Sequence, residues 1–168
     1  MDDFIDRSPP GFLDALKRRI EKPLESFWHE GENPEDEEYH SPHIHIQELP
    51  ISTTDSEERD KTKDCPYVLI VCTGGKIDKN SDFRKGSAVN VLFFFRAFSE
   101  SLDSQGWRLP SDMMWSVLQN LLENTIVEGY QLDAVEWSPL NSENHPYYTA
   151  IMETTWKGAP PASESPTM

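Results

Sequence analysis

Chemistry in this chain would have to come from five histidines, two cysteines and thirty carboxylates. The tightest pattern among them is His43-x-His45, inside the stretch PHIHIQELP. Read as a strand, period two places His43, His45 and Gln47 on one face and Ile44, Ile46 and Glu48 on the other. Two imidazoles on one side of a strand can bind zinc, but a site needs a third or fourth ligand. His40 is near in sequence, His29 follows the first helical segment and His145 stands in a distant turn. No H-E-x-x-H and no paired-cysteine motif is present to complete the set. The pair therefore reads first as surface or interface histidines, and a metal site at His43 and His45 as the alternative.

Other motifs fall short of a mechanism. Thr73-Gly74-Gly75-Lys76 invites a phosphate-loop reading, yet that motif needs four residues between its first Gly and Gly-Lys, then Ser or Thr opening a helix. Here Gly-Gly-Lys runs into IDKNSDFRKG, a polar turn region. No G-x-S-x-G occurs, the serines fall mostly in turns or caps, and no Cys-His pair has flanking support. Carboxylate pairs are numerous because acidic residues are numerous, and none stands out by apolar surroundings. The acidic run EGENPEDEEYHS (30–41) is expected to stay solvated and mobile, so it does not bring carboxylates together at fixed positions for a metal. Cys65 and Cys72 lie on one predicted strand, roughly 23 Å apart, too far for a disulfide, and read as two thiols. Catalysis is not expected, and no cofactor is implied.

The elements that would position these groups are clearer. Phe12, Leu13, Leu16 and Ile20 keep helical spacing, with Lys17, Arg18 and Arg19 on the other side and Pro23 ending or kinking the helix. A long polar hairpin loop (51–64), carrying Arg59 and Lys61, separates PHIHIQELP from CPYVLIVCTGG. The latter is apolar on both alternating sets, which predicts a strand covered on both faces. SAVNVLFFFRAFSE is the most hydrophobic strand and should pair antiparallel with it. Arg96 would mark its exit to solvent or make an inter-subunit salt bridge. A helix over 110–127, capped at Ser111 and closed by Gly129, carries a stripe of Met113, Met114, Val117, Leu118, Leu121, Leu122 and Ile126. A last hairpin joins YQLDAVEWSPL to YYTAIMETTWKG through NSENHP. Leu132, Ala134 and Glu136 are expected on one face of its first strand and Val135 and Trp137 on the other. The fold class is α+β: an antiparallel or mixed sheet of four to five strands packed against the 110–127 helix and an N-terminal helix. Residues 1–10 read as a flexible start, 11–157 as one domain and 158–168 as a disordered tail.

Bulk composition narrows the partners. The 168 residues suit one domain with its own core. No apolar run is long enough for a membrane span, and the start lacks a basic-then-apolar signal. A net charge of -15 argues against nonspecific DNA binding, which needs clustered Lys and Arg.

Taken together, H-I-H-I-Q-E-L-P, VNVLFFFRAF, DMMWSVLQNLLENTI and the ending D-A-V-E-W-S-P-L … H-P-Y-Y-T-A-I-M-E-T-T-W resemble the tail-terminator (tail-completion, head–tail joining) proteins of long-tailed phages and prophages. The closest parts are Trp137, His145-Pro146-Tyr147-Tyr148 and Glu153-Thr154-Thr155-Trp156, and the likeness spans 11–157. It implies a small α/β protein that forms a hexameric ring on the head-proximal end of the tail tube and stops tube polymerisation. Its partners would be other copies of itself, the tail tube protein, the head–tail connector protein and phage DNA threading the ring without sequence-specific contact. It implies no catalysis, metal or cofactor, and a place in the virion tail after assembly in the host cytoplasm. The 51–64 loop would be an arm towards tube or connector. His43, His45, Gln47, Arg59, Lys61, Arg96, Trp137, His145, Pro146, Tyr147, Tyr148 and Trp156 would be interface or structural positions. The acidic insert at 30–38 and the strongly acidic balance depart from the family pattern; an acidic lumen would not grip moving DNA. A metal-dependent enzyme using His43 and His45 and a monomeric adaptor are the competing expectations.

Overall fold

The computed structural model describes residues 8–27, 41–49, 65–77, 87–99, 106–140 and 146–158. The acidic link at 30–40, the 51–64 loop with Arg59 and Lys61, His145, and the chain ends at 1–7 and 159–168 lie outside them.

The first helix, α1 (Pro9–Leu24), starts two residues earlier than the periodicity predicts. Ser8 caps it, its hydroxyl accepting from the Gly11 N–H at 3.3 Å. Pro9 and Pro10 occupy the first turn, where a missing N–H costs nothing and a fixed φ helps. Phe12, Leu13, Leu16, Ile20 and Leu24 are buried, as their spacing requires. Pro23 sits in the last turn and the helix stops at the next residue.

The second helix, α2 (Arg108–Glu123), is shifted from the expected 110–127. Ser111 does not cap it; its hydroxyl donates to the Trp107 carbonyl at 2.9 Å, inside the first turn. The helix ends because Asn124 turns extended and its side-chain oxygen accepts from the Ile126 N–H at 3.2 Å, a local bond that competes with a further helical turn. Ile126 therefore leaves the predicted helical stripe, and Leu122 is exposed rather than buried. Gly129 does not close the helix either. Glu128 and Gly129, with φ of 48° and 83°, form the tight turn of a hairpin.

The strands are β1 (His43–Ile46), β2 (Tyr67–Lys76), β3 (Ala88–Phe98), β4 (Ile126–Val127), β5 (Tyr130–Leu140) and β6 (Tyr147–Gly158). They make one mixed sheet in the order β1-β2-β3-β6-β5-β4. The α+β class stands, with two-residue β4 as the strand beyond the expected five. All pairs are antiparallel except β1 with β2, which run parallel. The hairpin expected between PHIHIQELP and CPYVLIVCTGG is thus a crossover, and the long connection from Ile46 to Tyr67 has the length that parallel pairing demands.

Both helices pack on the same face of the sheet. Val68 and Ile70 of β2, Val91, Phe93 and Phe95 of β3, and Ala150, Met152 and Trp156 of β6 are fully buried beneath them. Strict alternation along β3 and β6 puts their other residues on the opposite face. One β-bulge, between Leu132 and Ala134, shifts the phase of β5. Leu132 pairs with Trp156 and Val135 with Thr154, so Leu132, Val135 and Trp137 share the helix face, and Ala134 and Glu136 face away. The expected grouping of Leu132 with Ala134 and Glu136 fails for that reason alone.

Candidate functional site

The face of the sheet opposite the helices is the feature with a role left to fill. Register defines its rows. One runs His45–Leu69–Phe94–Ile151–Ser138 across β1, β2, β3, β6 and β5, and the next runs His43–Tyr67–Arg96–Thr149. Beyond them Val71 stands beside Leu92, and Phe98 beside Tyr147. The centre is an apolar band of Leu69, Val71, Leu92, Phe94 and Ile151, each half-buried, and no described helix covers it. Among the described residues, helices cover β2 on one face only. Its second apolar set, Leu69 and Val71, belongs to this open band.

His43 and His45 do share a face, as period two requires, with ring centroids 6.3 Å apart; His45 also meets the Tyr67 ring edge-on at 5.9 Å. Among the described residues no group of three or more His, Cys, Asp or Glu is placed to hold a metal ion. Both cysteines are free thiols.

Gln47 is not on that face as a strand residue. β1 ends at Ile46, and Gln47 turns to a φ of 67°. Its backbone N–H still reaches the Ile70 carbonyl at 2.8 Å, while its side-chain oxygen accepts from the Cys72 N–H at 2.5 Å. The amide side chain thus substitutes for the next residue of a strand beside β2, a structural job. Arg96 does not mark the exit of β3, which continues to Phe98. The Arg96 guanidinium lies over the Tyr147 ring, 4.8 Å from its centroid, and Tyr147 also meets Phe98 at 5.3 Å.

The His-Pro-Tyr-Tyr segment works through shape. The Pro146 carbonyl accepts from the Ser99 N–H at 2.8 Å, which fixes the end of β6 against β3. The Tyr148 ring occupies the space where a side chain at Gly106 would stand, just ahead of α2. Trp156 is 0% exposed and belongs to the core: its ring meets Phe12 at 5.1 Å, and its indole N–H donates to the Thr154 hydroxyl at 2.8 Å. That hydroxyl in turn donates to the Val91 carbonyl at 2.9 Å, so the buried polar atoms form a closed chain. Tyr130, packed on Phe12 with centroids 4.3 Å apart, has its hydroxyl pKa raised by burial and secondarily by the Cys72 thiol.

Trp137 is 52% exposed, and beside it lies a residue that sequence reading passed over. Trp115, 47% exposed, meets it edge-on at 6.1 Å. The signal was available: Trp115 falls outside the stripe of Met114, Val117, Leu118 and Leu121, on the water-facing side of α2 with Asp112 and Gln119.

No family model matches the chain, and no curated protein matches it either.

Proposed function

We propose that this protein is a structural component of a phage tail, a terminator whose copies form a ring that caps the tail tube, stops its polymerisation and joins the tail to the head connector. The observation that supports the reading is the one-sided sheet. Both helices lie on one face, while the other carries a contiguous apolar band with no described cover. Bands of that kind mark surfaces completed by other chains. The residues of the resemblance, from Trp137 to Trp156, fall into two groups within this frame: Trp156, Tyr148 and Pro146 shape the sheet, and Tyr147, with Arg96 beside it, stands on the open face. His43, His45 and Tyr67 extend that face to the β1 edge. In this reading the partners are further copies of the chain, the tube protein and the connector protein, with DNA threading the ring. The chain performs no chemistry and carries no cofactor.

Tails assembled with and without the protein, viewed by electron microscopy, test this directly. Tubes of unlimited length in its absence, and tubes of fixed length with a ring-shaped cap in its presence, are the expected result. Normal tube length without it would end the proposal. The competing reading, a metal site on His43 and His45, predicts bound zinc that is lost on His43→Ala; the ring reading predicts capping unaffected by chelators.

A further inference from the structure

The outer edge of the sheet beyond β5 offers a second surface, distinct from the open face. β4 covers only the start of β5, pairing Ile126 and Val127 with Gln131 and Tyr130, and the Leu132 N–H is taken by the Thr125 carbonyl. After the bulge at Asp133, no described strand pairs with the outer side of β5. The open stretch, Ala134–Ser138, is closed at its far end by Pro139, which has no N–H to give. Unpaired strand edges take up extended chain from other molecules, main chain supplying the affinity and alternate side chains the selectivity.

The side chains along this edge define what would fit. On the helix side stand Val135 and Trp137, the latter with Trp115 against it, so the incoming strand must present apolar groups there. On the other side Glu136 lies directly across from Glu153 of β6, and both are exposed. Like charges opposed on adjacent strands destabilise a pair. The nearest described cation in the hairpin, Lys157, is engaged with Asp133 at 3.5 Å. A cation delivered beside Glu136 would offset both carboxylates.

We propose that the free edge of β5 at Ala134–Ser138 docks an extended segment of another protein that carries lysine or arginine between two apolar residues. The apolar residues would lie against Val135, Trp137 and Trp115, and the cation beside Glu136 and Glu153. A second copy fits less well. Antiparallel pairing of β5 with itself would bring further carboxylates to the same row. The β1 strand of another copy has the right alternation in Ile44-His45-Ile46, but it carries a histidine, not a lysine or arginine, between the two apolar residues. The assignment rests on this edge alone and does not depend on the tail-terminator reading.

The test uses the full-length protein and two capped peptides, Val-Lys-Val-Lys-Val-Lys-Val and its glutamate counterpart, titrated at 150 mM salt. The readout is the NMR shift of the Trp115 and Trp137 indole N–H signals. The lysine peptide should shift both to saturation and bind at least about fivefold tighter than the glutamate peptide, the size of about 1 kcal/mol of cross-strand charge pairing. Glu136→Gln with Glu153→Gln should abolish that preference, and Glu48→Gln, at the opposite edge, should leave it intact. Trp137→Ala, a change at an exposed position, should weaken both peptides. No shift at millimolar lysine peptide, equal affinity for the two peptides, or loss of preference with Glu48→Gln would overturn the proposal. So would concentration-dependent self-association that disappears in Trp137→Ala, because the occupant would then be a second copy.

Discussion

Trp156, Thr154 and Tyr130 show how much of this core depends on single polar atoms. The Thr154 hydroxyl accepts from the Trp156 indole and donates to the Val91 carbonyl, and all three residues are buried. Thr154→Val keeps the shape but strands an indole N–H and a carbonyl without water. It should lower the denaturant midpoint by the equivalent of about 1–3 kcal/mol with an unchanged m-value. Tyr130 gives a pH signature of definite sign. Burial raises its folded pKa above the ordinary tyrosine value near 10. The neutral phenol thus favours the fold below pH 10, and that contribution is lost as pH rises from 10 through the folded pKa. Thermal melts should fall more steeply above pH 10 for the native chain than for Tyr130→Phe. Equal slopes would remove Tyr130 from the account.

At the scale of elements, the helices α1 and α2 are joined by polar side chains as well as by their apolar stripes: Ser116 of α2 donates to the Pro23 carbonyl at 3.3 Å, and Arg19 makes the larger set. Arg19 of α1 donates to the Asn120 side-chain oxygen at 2.8 Å, to the Asn120 carbonyl at 2.9 Å and to the Asn124 carbonyl at 3.0 Å. It supplies a cation where the carbonyls of α2 end without partners, the position at which positive charge is favoured. The sequence places Arg19 on the polar side of α1 with Lys17 and Arg18, and nothing in that pattern distinguishes it from them. Arg19→Ala should cost about 1–2 kcal/mol, and Arg18→Ala, at an exposed position, close to nothing. Urea melts of the two variants compare them directly. The bulge in β5 belongs to the same scale: one extra residue at Asp133 moves Trp137 to the helix side, beside Trp115, and leaves Glu136 opposite Glu153.

At the scale of the whole molecule, the decisive fact is that both described helices choose one face of the sheet. Phe95 and Phe94 are neighbours in the same strand, yet one is fully buried under the helices and the other lies on the open band. Phe95→Lys should unfold the protein, since it buries an unpaired charge in place of a core ring. Phe94→Lys should leave the circular dichroism and melting temperature of the isolated chain little changed while abolishing any ring assembly and tube capping. A Phe94→Lys variant that still capped tubes would remove the open face from the proposed interface.

The amino-acid sequence by itself determined the longer strands and the described helices, though not β4, whose Ile126 it assigned to the second helix. Period two and period 3.6 are local properties that the burial of β3, β6 and α1 follows residue by residue. It also placed His43 and His45 side by side on one face of a strand. Other features were settled only by tertiary structure: the parallel pairing of β1, the phase shift at Asp133, the use of Gln47 as a backbone substitute, and the choice of face by the helices. Each depends on groups far apart in the chain, and periodicity carries no record of them. Leu69 and Val71 carry the same apolar signal as Val68 and Ile70. Only the position of the described helices decides that the second pair lies beneath them and the first on the opposite face.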